Sequence, residues 1–165
     1  MHPAALQWAK LHVPELPGSV VDIGGADINC SLRSLYTWSA YTCVDIADGP
    51  GVTVVAPFTE WSATQGDAVC DLVVCFEVFE HTASWPGIVR EVFRLLKPGG
   101  RFVGTCATGQ RTPHSAYGFD VLPADEYYAN VPAGVFADHL AEVGFLEFTV
   151  DVARSWMDLR WSAAR

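Results

Sequence analysis

Residues 20–29 read VVDIGGADIN. Val20, Val21 and Ile23 surround a single aspartate, Gly24 and Gly25 follow, and polarity then rises. An apolar run closed by glycines reads as a buried strand entering a tight turn, with a helix starting near residues 27–29. A dinucleotide loop carries glycines at its first, third and sixth positions. Here those positions hold Gly24, Ala26 and Asn29, with Asp27 between them, and a carboxylate would repel a pyrophosphate. The stretch reads either as a plain strand–helix turn or as a loop for a cofactor that carries no phosphate.

Composition narrows the choice. At 165 residues, 50% apolar and 18% charged, the chain has the length of one domain and the material for a core. The formal net charge is −9, from 10 basic against 19 acidic residues. Nucleic-acid binders gain affinity by neutralising phosphates with Lys and Arg. Unaided binding to DNA or RNA is therefore disfavoured, and a small molecule is the expected partner. No apolar run is long enough to span a bilayer, and the opening MHPAALQWAK lacks the pattern of a secretion signal. Cys30, Cys43, Cys70, Cys75 and Cys106 sit singly inside apolar runs. An odd number of isolated thiols points to buried free cysteines of a cytoplasmic protein, not to disulfides or a zinc cluster.

Working outward from the glycines, residues 3–12 read as a short helix. Buried-type strands are expected at residues 19–23, 41–46, 52–56, 68–76 and 101–107. WPGIVREVFRLL at residues 85–96 has apolar positions at helical spacing, Ser84 to cap it, Pro86 in its first turn and KPGG to stop it. Its Arg90 and Arg94 read as a solvated face. Residues 132–143 form a second helix ending at Gly144, residues 145–152 a strand, and residues 159–164 another. The alternation predicts an α/β fold: a Rossmann-like, mostly parallel sheet with helices on both faces. The tail breaks the alternation, which predicts an antiparallel C-terminal hairpin at one sheet edge. Ligands of such sheets sit at the carboxyl ends of the strands. Residues 108–131 form a long irregular stretch rich in aromatics (Tyr117, Phe119, Tyr127, Tyr128) that leaves one of those ends. Loops of that length are commonly functional.

Asp45 ends the second expected strand, 23 residues after Asp22, where a carboxylate accepts from both hydroxyls of a ribose. VVDIGGADIN, CVDIA at residues 43–47, DLVVCFEVFEH at 71–81 and LLKPGGRFV at 95–103 occur in an order and spacing that resemble the class I S-adenosylmethionine-dependent methyltransferases. The resemblance covers residues 18–107. It implies S-adenosylmethionine as cofactor, with Asp22, Gly24, Gly25 and Ala26 at its methionine part, Asp45 on the ribose and Ile46 on the adenine. Phe76 and Glu77 would lie beside the cofactor and the acceptor pocket. Ala26 and Ile28 replace glycines of the usual loop. Pro57 stands where many members place an aspartate for the adenine, which leaves backbone groups or Thr59 and Glu60 to read that ring.

The segment E-x-x-E-H puts Glu77, Glu80 and His81 within one turn after a strand. His81 and His114 are candidate general bases, with Glu77 beside them, because an imidazole titrates near neutrality. Glu77, Glu80, His81 and His114 are also candidate ligands for a divalent ion, as in some related RNA 2′-hydroxyl and quinone-type enzymes. His2, His12 and His139 read as solvated or packed, and Trp38, Trp61, Trp85 and Trp156 as packing residues. RTPHSAYG at residues 111–118 is similar to loops of small phage or actinobacterial methyltransferases. The expected arrangement is one domain over residues 1–165: a cofactor-binding part at 18–107, a substrate lid at 108–131, and a helix with strands at 132–165. The expected activity is methylation of a small-molecule acceptor. Two alternatives stand beside it: a methyltransferase-like binding or regulatory subunit, and a metal-assisted RNA methyltransferase.

Overall fold

The computed structural model describes residues 3–15, 18–27, 32–37, 39–117 and 121–165. Helix α1 (Pro3–His12) precedes β1 (Ser19–Ile23), which runs directly into the glycine turn. Then come β2 (Ala40–Asp45), β3 (Val54–Val55), α2 (Phe58–Ala63) and β4 (Cys70–Phe76). After them follow α3 (Trp85–Leu95), β5 (Leu96–Ala107), α4 (Ala133–Val143), β6 (Glu147–Ala153) and β7 (Asp158–Ala164). Single 3-10 turns occupy Leu32–Ser34 and Phe79–His81.

The strands form one sheet in the order β3-β2-β1-β4-β5-β7-β6. Strands β1 to β5 pair in parallel, and β7 runs against its neighbours between β5 and β6. This is the expected Rossmann-like sheet with a C-terminal hairpin at one edge. Its strand order reverses between β1 and β4, which opens a crevice there. The central strand shows why the sequence folds this way. Along β4, Leu72, Val74 and Phe76 face α1 with Ala5, Trp8 and Ala9, whereas Val73 and Cys75 face Val89, Val92 and Phe136 of α3 and α4. A strand covered on both faces needs a continuous apolar run, and LVVCF at residues 72–76 supplies one. The larger core centres on Phe79, stacked on Trp161 at 5.3 Å between ring centroids and flanked by Phe102 and Phe136. Phe79 thereby anchors the turn that carries Glu80 and His81. Truncating a ring so buried costs about 3–5 kcal/mol.

Several elements depart from the expected bounds. The strand at residues 52–56 shrinks to Val54–Val55, and beside it the Thr53 hydroxyl accepts from Cys43 N (2.8 Å) and donates to Cys43 O (3.0 Å), which also accepts from Thr53 N (3.0 Å). Helix α2, six residues after Pro57, is too short for a periodic pattern to announce. Strand β5 begins at Leu96, opposite Cys70, and pairing resumes at Arg101 opposite Leu72, so Lys97–Gly100 bulge outward. Ser84 precedes α3 without a side-chain capping bond, whereas Gly144 closes α4 in the left-handed conformation (φ 118°). Arg94 is not a solvated residue. Its guanidinium bonds Glu91 (2.7 Å), Asp67 (2.8 Å) and the carbonyls of Ser62 and Gln65, using its fork of donors to tie α3 to α2. Arg165 in turn donates to the carbonyls of Arg94 and Leu96 at the end of α3, where cations are favoured.

Cys43, Cys70, Cys75 and Cys106 are buried and unbridged. Trp61 and Trp85 pack against the larger core, His139 is buried, and Trp156 is exposed. Among the described residues no helix is long and apolar enough to cross a membrane. The helix start at residues 27–29 falls mostly outside the described residues, as do His2, Ile28, Cys30, Trp38 and Phe119.

Candidate active site

The carboxyl ends of β1 to β4 open into one cavity of about 430 Å3. Gly24 and Ala26 form one wall, Asp45 and Ile46 the next, Pro57, Phe58 and Thr59 a third, and Glu77, Val78 and His81 the far side. Ala116 and Tyr117 reach over it from the long loop.

The glycine turn is set by two close approaches. Gly24 sits at φ +67° with its N–H donated to Val44 O (2.9 Å), and a Cβ there would lie 2.4 Å from Val78 Cγ2. A side chain would meet both a disfavoured backbone region and a neighbouring methyl. At Gly25 a Cβ would lie 2.2 Å from Asp22 Oδ2. Asp22 is buried, 4% exposed, behind that turn, where it accepts from the Tyr41 hydroxyl. Burial pushes its carboxyl up to about 7; the Tyr41 bond opposes the rise and Asp45 adds to it.

Asp45 stands at the end of β2 with Oδ2 accepting from Ala26 N (3.4 Å) and Oδ1 from Ala47 N (3.1 Å). These bonds aim the carboxylate and leave lone pairs for a ligand. Ile46, 67% exposed, presents an apolar face beside it. Thr59 lines the cavity, whereas Glu60 is not among its walls. Phe76 is placed differently from the other expected cofactor residues. It lies in the core under α1, because alternation along β4 turns residue 76 away from the face that Cys75 occupies.

The E-x-x-E-H segment divides in two. Glu77 has φ +58°, a conformation uncommon outside glycine, at the bend where β4 ends. Its side chain accepts from Thr105 Oγ1 (2.5 Å) and pairs with Arg111 (2.8 Å), which also pairs with the fully buried Asp158 (2.7 Å). Glu80, His81 and His114 form the second group, with one ligand-type atom of each within 4.8 Å of the others. Glu80 is fully buried and accepts from Ala107 N (3.1 Å); burial and the Glu77 charge push it up to about 8. Burial, then the His114 ring, holds His81 down at about 4. The rings of His81, His114 and Tyr128 meet edge to face at 5.1–5.5 Å. Glu80 Oε2 and His81 Nδ1 are buried without a hydrogen-bond partner among the described residues.

Sequence reading passed over Tyr41, Val78 and Arg111, and took Tyr128 only as one of the aromatics of the long loop. Arg111 had a signal, being the one Lys or Arg between residues 108 and 131, in a stretch that also holds Asp120, Asp125 and Glu126. The described parts of that stretch contain no helix or strand. They are fastened by Thr108 Oγ1 to Val131 O (2.6 Å), Asn130 to Arg111 O (3.0 Å), Ser115 to Glu126 (2.8 Å) and Ala129 N to Glu80 O (2.8 Å).

A family model for a methyltransferase domain matches residues 4–161. A ubiquinone biosynthesis O-methyltransferase of Burkholderia pseudomallei is 33% identical over 114 residues, covering 61% of this chain and 49% of that protein. The chain thus spans about half the length of the curated relatives it first matches. Among solved structures, a SAM-dependent methyltransferase from Archaeoglobus fulgidus superposes with a TM-score of 0.72 at 13% identity, over 97% of this chain and 91% of that one. A 1,6-didemethyltoxoflavin-N1-methyltransferase of Burkholderia thailandensis, solved with 1,6-didemethyltoxoflavin and S-adenosylhomocysteine, does so with a TM-score of 0.69 at 17% identity, over 99% and 77%. At these identities the structural likeness is one of fold.

Proposed function

The chain belongs to the methyltransferase-domain family, in its class I form that uses S-adenosylmethionine, and on that premise we propose that it methylates a small-molecule acceptor at the mouth of the cavity. The observation that supports this best is the convergence of the glycine turn, Asp45 and the Glu77–His81 segment on one cavity at the carboxyl ends of parallel strands. The residues fit the cofactor. Gly24 admits close backbone approach, Asp45 offers lone pairs to two hydroxyls, and Ile46, Pro57 and Phe58 give a flat ring an apolar wall. When bound, the cofactor supplies an electrophilic methyl group on a sulfonium.

In this reading Gly24, Gly25 and Ala26, backed by Asp22, hold the methionine part, Asp45 holds the ribose and Ile46 covers the adenine. Thr59 and nearby backbone groups read the adenine edge, and Phe76 contributes packing. His81 receives the acceptor's proton, its ring kept neutral by burial and its plane fixed by His114 and Tyr128. Glu77 faces the acceptor with its side chain held by Thr105 and Arg111. Residues 108–131 cover the acceptor, residues 18–107 bind the cofactor and residues 132–165 complete the sheet, all as one domain. Four buried free thiols support a cytoplasmic setting.

Calorimetric titration with S-adenosylmethionine and S-adenosylhomocysteine is the test. Binding of both is expected, and no binding at millimolar ligand would sink the reading. Binding by a protein that never turns over any of a broad acceptor panel would instead favour a regulatory, methyltransferase-like subunit.

A second reading adds a divalent cation held by Glu80, His81 and His114. It is favoured by the two unpartnered buried atoms, Glu80 Oε2 and His81 Nδ1, in the same cluster. Such an ion would supply Lewis-acid help to the acceptor oxygen. Mg2+ or Mn2+ should raise the melting temperature of the protein and not of His81→Ala; equal shifts in both would remove the ion. An RNA complex that weakens steeply with salt would redirect this reading to RNA, against which the net charge of −9 counts.

A further inference from the structure

Asp22 and Tyr41 form a buried pair behind the glycine turn, and the cofactor-binding reading does not by itself use the tyrosine. Tyr41 stands opposite Val20 in the β1–β2 register and Asp22 opposite Cys43, so the two side chains lie on the same face of adjacent strands, two positions apart. The Tyr41 hydroxyl donates to Asp22 Oδ2. That same oxygen occupies the space a side chain at Gly25 would need, 2.2 Å from the Cβ position. The carboxylate therefore touches the underside of the turn and is fastened from the other side by a phenol. On the turn's far side the Gly24 and Ala26 wall faces the cavity.

We propose that Tyr41 is a positioning residue for cofactor binding: its hydroxyl holds the Asp22 carboxylate, in its charged form, against the back of the turn where the cofactor's cationic methionine end is to be received. This rests on the proposed S-adenosylmethionine function. The charge is needed because the cofactor brings an ammonium and a sulfonium, and it has to be maintained at a site that is 4% exposed. Burial works against it, and so does the Asp45 carboxylate on β2. Among the described residues, other ionisable groups nearby are the Cys43 thiol of β2, the Cys75 thiol of β4 and Arg33 of the 3-10 turn, whose guanidinium lies 5.7 Å from the centre of the Tyr41 ring. Both thiols are held in their neutral form by burial. The Tyr41 bond is the near, directional contact that favours the carboxylate.

The consequence is a linkage between cofactor binding and the ionisation of Asp22. Affinity for S-adenosylmethionine should fall as pH drops through the neutral range, approaching tenfold per unit once Asp22 is mostly protonated. On the alkaline side it should fall again in every variant as the cofactor's own α-ammonium loses its proton at about pH 8, so the acid bend is read from the ratio between variants. Tyr41→Phe removes the bond that favours the charged form, so the bend in this profile should move to higher pH. The loss should be several-fold near pH 6.5 and shrink towards none near pH 9. Asp22→Asn should bind weakly with no such bend. Calorimetry across this range reads all three proteins, with thermal unfolding to confirm folding. A uniform loss in Tyr41→Phe at every pH would mean a merely structural tyrosine, and an unmoved bend would overturn the proposal. A carbon-13 titration of the Asp22 carboxyl in the ligand-free protein gives an independent arm: its midpoint should rise in Tyr41→Phe, and an unchanged midpoint refutes the pairing. Failure of the wild type to bind at any pH would count against the cofactor reading, while the carboxyl titration still decides the role of Tyr41.

Discussion

Gly24→Ala tests the local physics of the cavity most directly, because two separable costs meet at one atom. The backbone at residue 24 has φ +67°, which costs an alanine about 1–2 kcal/mol. The new Cβ would also lie 2.4 Å from Val78 Cγ2, and pushing a partly buried side chain aside costs about 1–3 kcal/mol. The substitution should therefore destabilise the protein by about 2–5 kcal/mol. The two parts separate in a Val78→Ala background, where the obstructing methyl is gone and the backbone cost remains. There Gly24→Ala should cost only about 1–2 kcal/mol, leaving a coupling of about 1–3 kcal/mol between the sites. Urea denaturation of the four proteins measures the cycle. Titration with S-adenosylhomocysteine should show weaker binding by Gly24→Ala in both backgrounds, because Gly24 also lines the cavity. An equal cost in both backgrounds would refute the contact with Val78, and a cost below about 0.5 kcal/mol in the wild type would refute the turn itself.

Three further outcomes are expected. Asp45→Ala should weaken cofactor binding by about 1–3 kcal/mol, the range of hydrogen bonds to a charged group, with little effect on stability; unchanged affinity in calorimetry would remove Asp45 from the ribose. Arg111→Met should destabilise by about 3–5 kcal/mol in thermal or chemical unfolding, because it removes the cation that Glu77 and the fully buried Asp158 share. Asp71 is held at about 2 by the Ser19 and Lys97 hydrogen bonds, so it stabilises the fold above the ordinary carboxylate range and loses that contribution as pH falls through about 2. Its side chain is 39% exposed, so solvent screening reduces the effect, and Asp71→Asn should cost about 1 kcal/mol or less at pH 7 with the difference vanishing in acid.

The sheet was legible because its evidence is repetitive: apolar runs alternate with helical spacing, and the tail breaks the rhythm where β7 inserts against β5. Asp45, Gly24 and His81 were legible because each follows a strand that the pattern had already marked. What stayed hidden depends on side-chain direction or distant pairing. Phe76 is adjacent to Glu77 in sequence, yet strand alternation sends its ring to the α1 side, a consequence the run DLVVCF already contained. Arg94 looked solvated on helical spacing alone, and only the approach of α2 gives it Asp67 and two carbonyls. Tyr41 and Asp22 are 19 residues apart and become neighbours through the β1–β2 register.

The same distinction changes the meaning of E-x-x-E-H. In sequence its two glutamates look equivalent, each a carboxylate within a turn of His81. In the fold they are opposites. Glu77 sits at a left-handed backbone position with its side chain locked by Thr105 and Arg111, so it braces the bend. Glu80 lies three residues on, fully buried, its Oε1 bound to Ala107 N, its Oε2 without a hydrogen-bond partner among the described residues, and one carboxylate oxygen grouped with the histidines. Arg111 connects the two halves, since it comes from the long loop, pairs with both Glu77 and Asp158, and accepts from Asn130 at its carbonyl. The loop that covers His81 is therefore fastened to the very bend that presents His81 to the cavity. A change at Arg111 should disturb acceptor chemistry and stability together, whereas a change at Asp45 should disturb cofactor affinity alone.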